Sequence, residues 1–116
     1  MNNKTALFIG RWQPPHEGHK KLICSVLAEG KRVIIAVRDT KISANNPFTY
    51  VQRKKMLQEM FDEFFDHIKI IKIPDISEVC YGRNVGYTVR EIRLDENTEK
   101  ISATNIRKQF KLKNPQ

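Results

Sequence analysis

Gly10-Arg11-Trp12-Gln13-Pro14-Pro15-His16-Glu17-Gly18-His19 decides how this 116-residue chain is read. The stretch follows an apolar run, Ala6-Leu7-Phe8-Ile9, with the composition of a buried strand, and it leads straight into a helical pattern. A strand-to-helix turn offers free N–H groups and the positive end of the helix dipole, and Gly18 lets an anion approach the backbone. A lone histidine here is most often a packing or surface residue. Two of them around a glycine at such a turn point instead to a phosphate-bearing ligand. The layout is that of a nucleoside triphosphate site without a Walker loop or a Gly-x-Gly-x-x-Gly fingerprint. A zinc-protease helix would need its second histidine where Lys20 stands, so that chemistry is excluded.

Outward from this turn, the pattern predicts a strand over 5–9 and a helix over about 18–29. The helix carries Leu22, Ile23, Val26 and Leu27 on one face, with Gly30 as its stop. Val33-Ile34-Ile35-Ala36-Val37 reads as a strand covered on both faces. A loop over 41–48 contains the breakers Asn45-Asn46-Pro47. Thr49 and Gln52 form a capping box that opens a second helix, whose apolar face is Met56, Leu57, Met60, Phe61 and Phe64. A third strand spans 68–73 and stops at Pro74, a loop follows over 76–86, and a fourth strand is expected over 87–94. Ser102 starts a last helix, and 111–116 is a polar tail. The expected fold is α/β: one domain over 1–116, a Rossmann-like, mostly parallel sheet of about four to five strands with helices on both faces. Ligands in such sheets sit beyond the carboxyl ends of the strands, where the histidine turn lies.

Twenty-one basic residues against 13 acidic ones give a net charge of +8, suited to polyanions such as nucleoside triphosphates, phosphorylated metabolites or nucleic acid. Interleaved surface aromatics and basic residues, the mark of single-strand binding, are sparse, which disfavours nucleic acid. Cys24 and Cys80 have no metal-ligand spacing and read as thiols of a reducing compartment. With no secretory signal pattern and no apolar run near the roughly 20 residues a membrane span needs, a cytoplasmic protein without a membrane partner is expected.

A second helix start, Ile101-Ser102-Ala103-Thr104-Asn105-Ile106-Arg107, reads on its own as an N-cap serine and a solvent-facing arginine. Paired with the histidine turn, it offers hydroxyls, N–H groups and a two-pronged guanidinium for a pyrophosphate. Together the two stretches resemble the HxGH nucleotidyltransferase superfamily, which is cytidylyltransferase-like and nicotinamide-mononucleotide adenylyltransferase-like. The form of residues 10–19 is most similar to the short archaeal-type adenylyltransferases. Asn46-Pro47-Phe48-Thr49 with Arg53, and the Ile-Ser-x-Thr-x-Ile-Arg form of 101–107, resemble the same branch in the same order.

The resemblance implies in-line attack of an acceptor phosphate oxygen on the α-phosphorus of a triphosphate, with pyrophosphate expelled. His16, His19 and Arg107 are then catalytic. Gly10, Arg11, Trp12, Gln13, Gly18, Ser102, Thr104, Arg38 and Lys41 bind the nucleotide and its phosphates, while Asp39, Arg53 and Arg83 are candidates for the acceptor. Arg83 lies in the glycine-flexed loop Tyr81-Gly82-Arg83-Asn84-Val85-Gly86-Tyr87. Mg²⁺ is expected to arrive with the triphosphate and to have no protein ligands of its own. AMP transfer from ATP to a phosphorylated small molecule is favoured. CTP as donor, or a non-catalytic nucleotide-sensing or RNA-binding module, are the alternatives. The resemblance also allows a homo-oligomer, for which Phe64, Phe65 and Tyr87 are interface candidates by residue type.

Overall fold

The computed structural model describes residues 4–83 and 86–92 of the protein. It runs β1 (Thr5–Gly10), α1 (Glu17–Leu27), β2 (Arg32–Asp39), α2 (Tyr50–Met60), a 3-10 segment (Asp62–His67) and β3 (Ile68–Pro74). The strands form one parallel sheet in the order β1-β2-β3, with Phe8 beside Ile35 and Ile35 beside Ile70. The β-branched run falls on the central strand, where Val33, Ile35, Ala36 and Val37 are all buried.

Because the strands advance in one direction across the sheet, right-handed crossovers carry both helices to the same face. There Ile23 and Val26 of α1, Leu57 of α2 and Phe61 just beyond it close over Val33, Ile35 and Val37. Full burial of such side chains contributes roughly 1.5–3 kcal/mol each. On the other face Leu7 remains 56% exposed. The α/β parallel architecture is therefore present. Among the described residues it has three strands, with helices on one face rather than both.

The fourth strand expected over 87–94 is corrected in its described part, because residues 87–92 form no strand. Arg90 instead clasps Glu29 just beyond α1, with Nη1 and Nη2 at 3.1 and 3.2 Å from the two carboxylate oxygens. An ion pair to a loop holds this segment where a ladder was expected. Residues 93–94 and the predicted last helix lie outside the described residues.

Two features of the sheet prepare the site. β2 and β3 outrun β1, since Gly10 pairs with Val37 while Arg38 and Asp39 pair with Ile73 and Pro74. The step left at the end of β1 is filled by the turn over 11–16, which includes a cis Gln13–Pro14 bond and leads into α1.

Candidate active site

α1 begins with an unusual cap. His16 is its N-cap, and its Nδ1 accepts from the Gly18 N–H at 3.1 Å and from the N–H of His19. In return His19 Nδ1 accepts from the His16 N–H at 3.2 Å. This is a capping box built from two imidazoles instead of a hydroxyl and a carboxamide. The rings stack, with centroids 3.8 Å apart and planes inclined by 17°.

Burial lowers the pKa of both rings. For His19 it does so down to about 3, with the charge of His16 adding to the effect. Both imidazoles are therefore neutral at pH 7. A neutral ring whose Nδ1 accepts must carry its proton on Nε2. Neither Nε2 has a protein partner among the described residues. The cap thus fixes the tautomer of each histidine and leaves two uncharged N–H donors at the positive end of a helix.

The side chains of three residues expected at the ligand are directed into the protein. Trp12 is 4% exposed, its Nε1–H donates to Ala36 O at 3.1 Å, and its ring meets His19 edge-on at 4.6 Å. Gln13 is buried and pairs with both backbone groups of Phe48: Nε2 donates to the carbonyl at 2.9 Å, and Oε1 accepts from the N–H at 2.9 Å. Its Nε2 also reaches Thr40 Oγ1 at 3.0 Å. Arg53 is fully buried, and its Nη1 donates to Arg11 O at 2.7 Å and Arg38 O at 2.8 Å while Nε donates to Thr49 O. One guanidinium therefore ties the ends of β1 and β2 to the start of α2. Burial lowers its pKa, opposed by the charges of Asp39 and Asp75. The sequence held a sign of this: Arg53, Leu57 and Phe61 recur every four residues, so Arg53 shares the apolar face of α2.

Gly10 is a close-approach glycine, since a Cβ there would sit 3.0 Å from Trp12 Cε2. Gly18 is buried in the first turn of α1, with its N–H engaged by His16.

The solvent side of the same edge is basic. Arg11 is exposed, with Nη1 3.3 Å from Asn46 Oδ1, and Lys41 is exposed in the loop beyond β2. Arg38 is ion-paired with Asp75 at 2.8 Å, a residue the sequence reading had passed over. Asp39 is exposed at the end of β2, and Arg83 is exposed in a loop beyond β3. That loop, with Tyr81, Tyr87 and Val89, lines an open hollow of about 810 Å³. Ser102, Thr104 and Arg107 lie outside the described residues. No described helix is long and apolar enough to cross a membrane.

The cytidylyltransferase-like family profile matches residues 7–77, which take in most of β1 and all of the elements from α1 through β3. The nicotinamide-nucleotide adenylyltransferase of Methanococcus aeolicus is 30% identical, over 90% of this chain and 76% of its own length. The enzyme of that name from Pyrobaculum neutrophilum is also 30% identical, over 97% of this chain and 80% of its own. The one from Thermococcus onnurineus is 37% identical over 64% of this chain, which spans only 42% of that relative. Among solved structures, a bifunctional NMN adenylyltransferase/ADP ribose pyrophosphatase from Francisella tularensis, complexed with AMP and a manganese ion, superposes with a TM-score of 0.58. It shares 32% identity over 64% of this chain and 23% of its own. With two archaeal relatives aligned over most of both lengths and the family profile laid across most of the described sheet, the chain belongs to the cytidylyltransferase-like family, in the nucleotidyltransferase superfamily, as an enzyme of the archaeal adenylyltransferase type.

Proposed function

We propose that the protein transfers AMP from ATP to a nucleotide acceptor of the nicotinamide mononucleotide type, releasing pyrophosphate. A phosphate oxygen of the acceptor attacks the α-phosphorus, the bond from that phosphorus to the bridging oxygen of the β-phosphate breaks, and pyrophosphate leaves with the electron pair. No proton has to be removed from an ionised acceptor phosphate. The observation that carries the reading is the imidazole cap: two neutral Nε2–H donors fixed at the N-terminus of α1, beside the carboxyl edge of the sheet. Donors held in advance stabilise charge as it grows on the α-phosphoryl oxygens without reorganising at the moment of reaction. Being neutral, they do so without binding the ground-state polyphosphate through full charge.

Arg11 and Lys41 supply the positive field around the triphosphate, and Gly18 allows its close approach. Ser102, Thr104 and Arg107 hold the departing pyrophosphate. Arg38 stays with the phosphate-binding group, and Asp39 and Arg83 are candidates for the acceptor side. A divalent cation is expected as a companion of the triphosphate, as the manganese ion in the Francisella tularensis structure suggests. It would supply neutralisation of the phosphate charge that Arg11 and Lys41 also face.

The test is pyrophosphate release and dinucleotide formation with ATP, nicotinamide mononucleotide and Mg²⁺, run beside CTP and beside His19→Ala. Turnover with ATP that exceeds turnover with CTP and disappears in His19→Ala is expected. No pyrophosphate from either triphosphate would overturn the enzymatic reading, and preference for CTP would overturn the adenylyl assignment.

A further inference from the structure

Trp12 is a costly residue to place where it is. Its φ is +53°, in the left-handed region that a bulky side chain rarely adopts and that costs on the order of 1–3 kcal/mol. A glycine would relieve that strain, yet an indole stands there and is buried almost completely. Three observations say what the ring does. Its Nε1–H is bound to Ala36 O on the central strand, which fixes the plane of the indole against β2. Its edge lies against His19 with an interplanar angle of 69°. Gly10 also stands against the ring, where any Cβ would press on Cε2, Cζ2 and Nε1 of the indole within 3.3 Å.

His19 is therefore confined from three directions. The His16 ring stacks on its face, the His16 N–H holds Nδ1, and the Trp12 ring packs against it with centroids 4.6 Å apart. The first two contacts come from α1's own cap and would survive a tilt of the helix terminus as a unit. Among the ring contacts and hydrogen bonds of the described residues, the Trp12 contact is the one that references the imidazole to β2 and so to the carboxyl edge.

We propose that Trp12 is a positioning residue for transfer: it carries the geometry of β2 to His19, setting the angle at which the His19 Nε2–H meets the reacting phosphoryl group. The inference rests on the functional reading above. It assigns to the Gly10–Trp12 pair the alignment of a donor rather than contact with the nucleotide base.

Three variants test it: Trp12→Leu, which removes both the ring edge and the Nε1–H; Trp12→Phe, which keeps an aromatic edge; and Gly10→Ala, which displaces the indole. Each is followed by steady-state kinetics and by NMR titration of the imidazoles in the nucleotide-free protein. Trp12→Leu is expected to lower kcat by about 10- to 100-fold with KM for ATP changed by less than about twofold, because misalignment is felt in the transition state. Trp12→Phe should recover most of that loss. In the spectra the His19 midpoint should move upward in Trp12→Leu as water reaches the ring. His16, whose charge acts on His19, is followed in the same titration.

Wild-type kcat in Trp12→Leu overturns the proposal. So does a loss of kcat that Trp12→Phe does not recover while His19 resonances stay in place, since that pattern belongs to a residue serving only the fold. If Trp12→Leu does not fold, Gly10→Ala decides: reduced kcat with displaced His19 resonances supports positioning, and no change in either overturns it. Absence of turnover in the wild type would count against the functional reading instead, and the imidazole spectra would still show whether Trp12 sets His19.

Discussion

The two described helices open with the same hydrogen-bond pattern made from different side chains. At α2, Thr49 Oγ1 accepts from the Gln52 N–H at 3.1 Å, and Gln52 Oε1 accepts from the Thr49 N–H at 2.8 Å. At α1, His16 and His19 occupy those two positions. Either box satisfies N–H groups that a helix start would otherwise leave open. The α2 box is exposed and ends in ordinary polar groups facing solvent. The α1 box is partly buried, so its side chains stay neutral, and each imidazole has a second nitrogen left over after capping. One cap terminates a helix. The other terminates a helix and presents a pair of oriented donors.

Converting one cap into the other breaks that comparison most severely. His16→Thr combined with His19→Gln rebuilds the α2 box at α1. Adenylyl transfer should fall by at least about 100-fold. Thermal unfolding should stay within about 1 kcal/mol of the wild type. Large destabilisation with retained turnover would show the histidines to be capping residues only.

The next effect concerns the tie between the two helix starts. Arg53→Met should destabilise the fold by about 3 kcal/mol, measured by denaturant unfolding, because Arg11 O, Arg38 O and Thr49 O lose their donor together. Near-normal stability with weakened acceptor binding would return Arg53 to the ligand.

The next effect is absent at neutral pH and is read against pH. His19 titrates near 3 in the folded chain and at an ordinary 6.5 when unfolded. Between those values the unfolded chain binds more protons. The contribution to stability is therefore complete above about pH 6.5 and is lost as pH falls toward 3, at up to about 1.4 kcal/mol per pH unit. Denaturant midpoints of the wild type and His19→Gln should diverge across that window, with the wild type showing the steeper decline. Parallel curves would mean that His19 is not held neutral. Thr49→Ala should have the mildest outcome, a loss of about 1 kcal/mol with turnover within about twofold. A large drop in kcat there would erase the distinction between the caps.

The strands, both helices and the position of the histidine turn were legible because each rests on local pattern. Ala6 to Ile9 and Val33 to Val37 have strand composition, Thr49 and Gln52 have cap spacing, and Ile23 and Val26 recur at helical period. The strand expected over 87–94 did not form in its described part. Alternation can suggest a strand, but a strand exists only where another offers a ladder, and Arg90 is bound to Glu29 instead. The same distinction divides the site. Arg11, Gln13 and Arg53 look alike on paper, as polar residues in or near a phosphate-binding turn. One is exposed, and the other two are buried against backbone groups of Phe48, Arg11, Arg38 and Thr49.

By itself the sequence determined the order of elements, the parallel α/β arrangement and the presence of two histidines at the first helix start, since periodicity, caps and short-range spacing are properties of neighbouring residues. Tertiary structure alone decided which polar residues face solvent, which nitrogen of each imidazole carries the proton and what holds the His19 ring at its angle. The tautomers follow from cap bonds two and three positions apart that close only once α1 forms. The burial of Trp12 and Arg53 depends instead on partners 15 to 42 positions away, Ala36 for Trp12 and the carbonyls of Arg11 and Arg38 for Arg53, which only folding brings within hydrogen-bond reach.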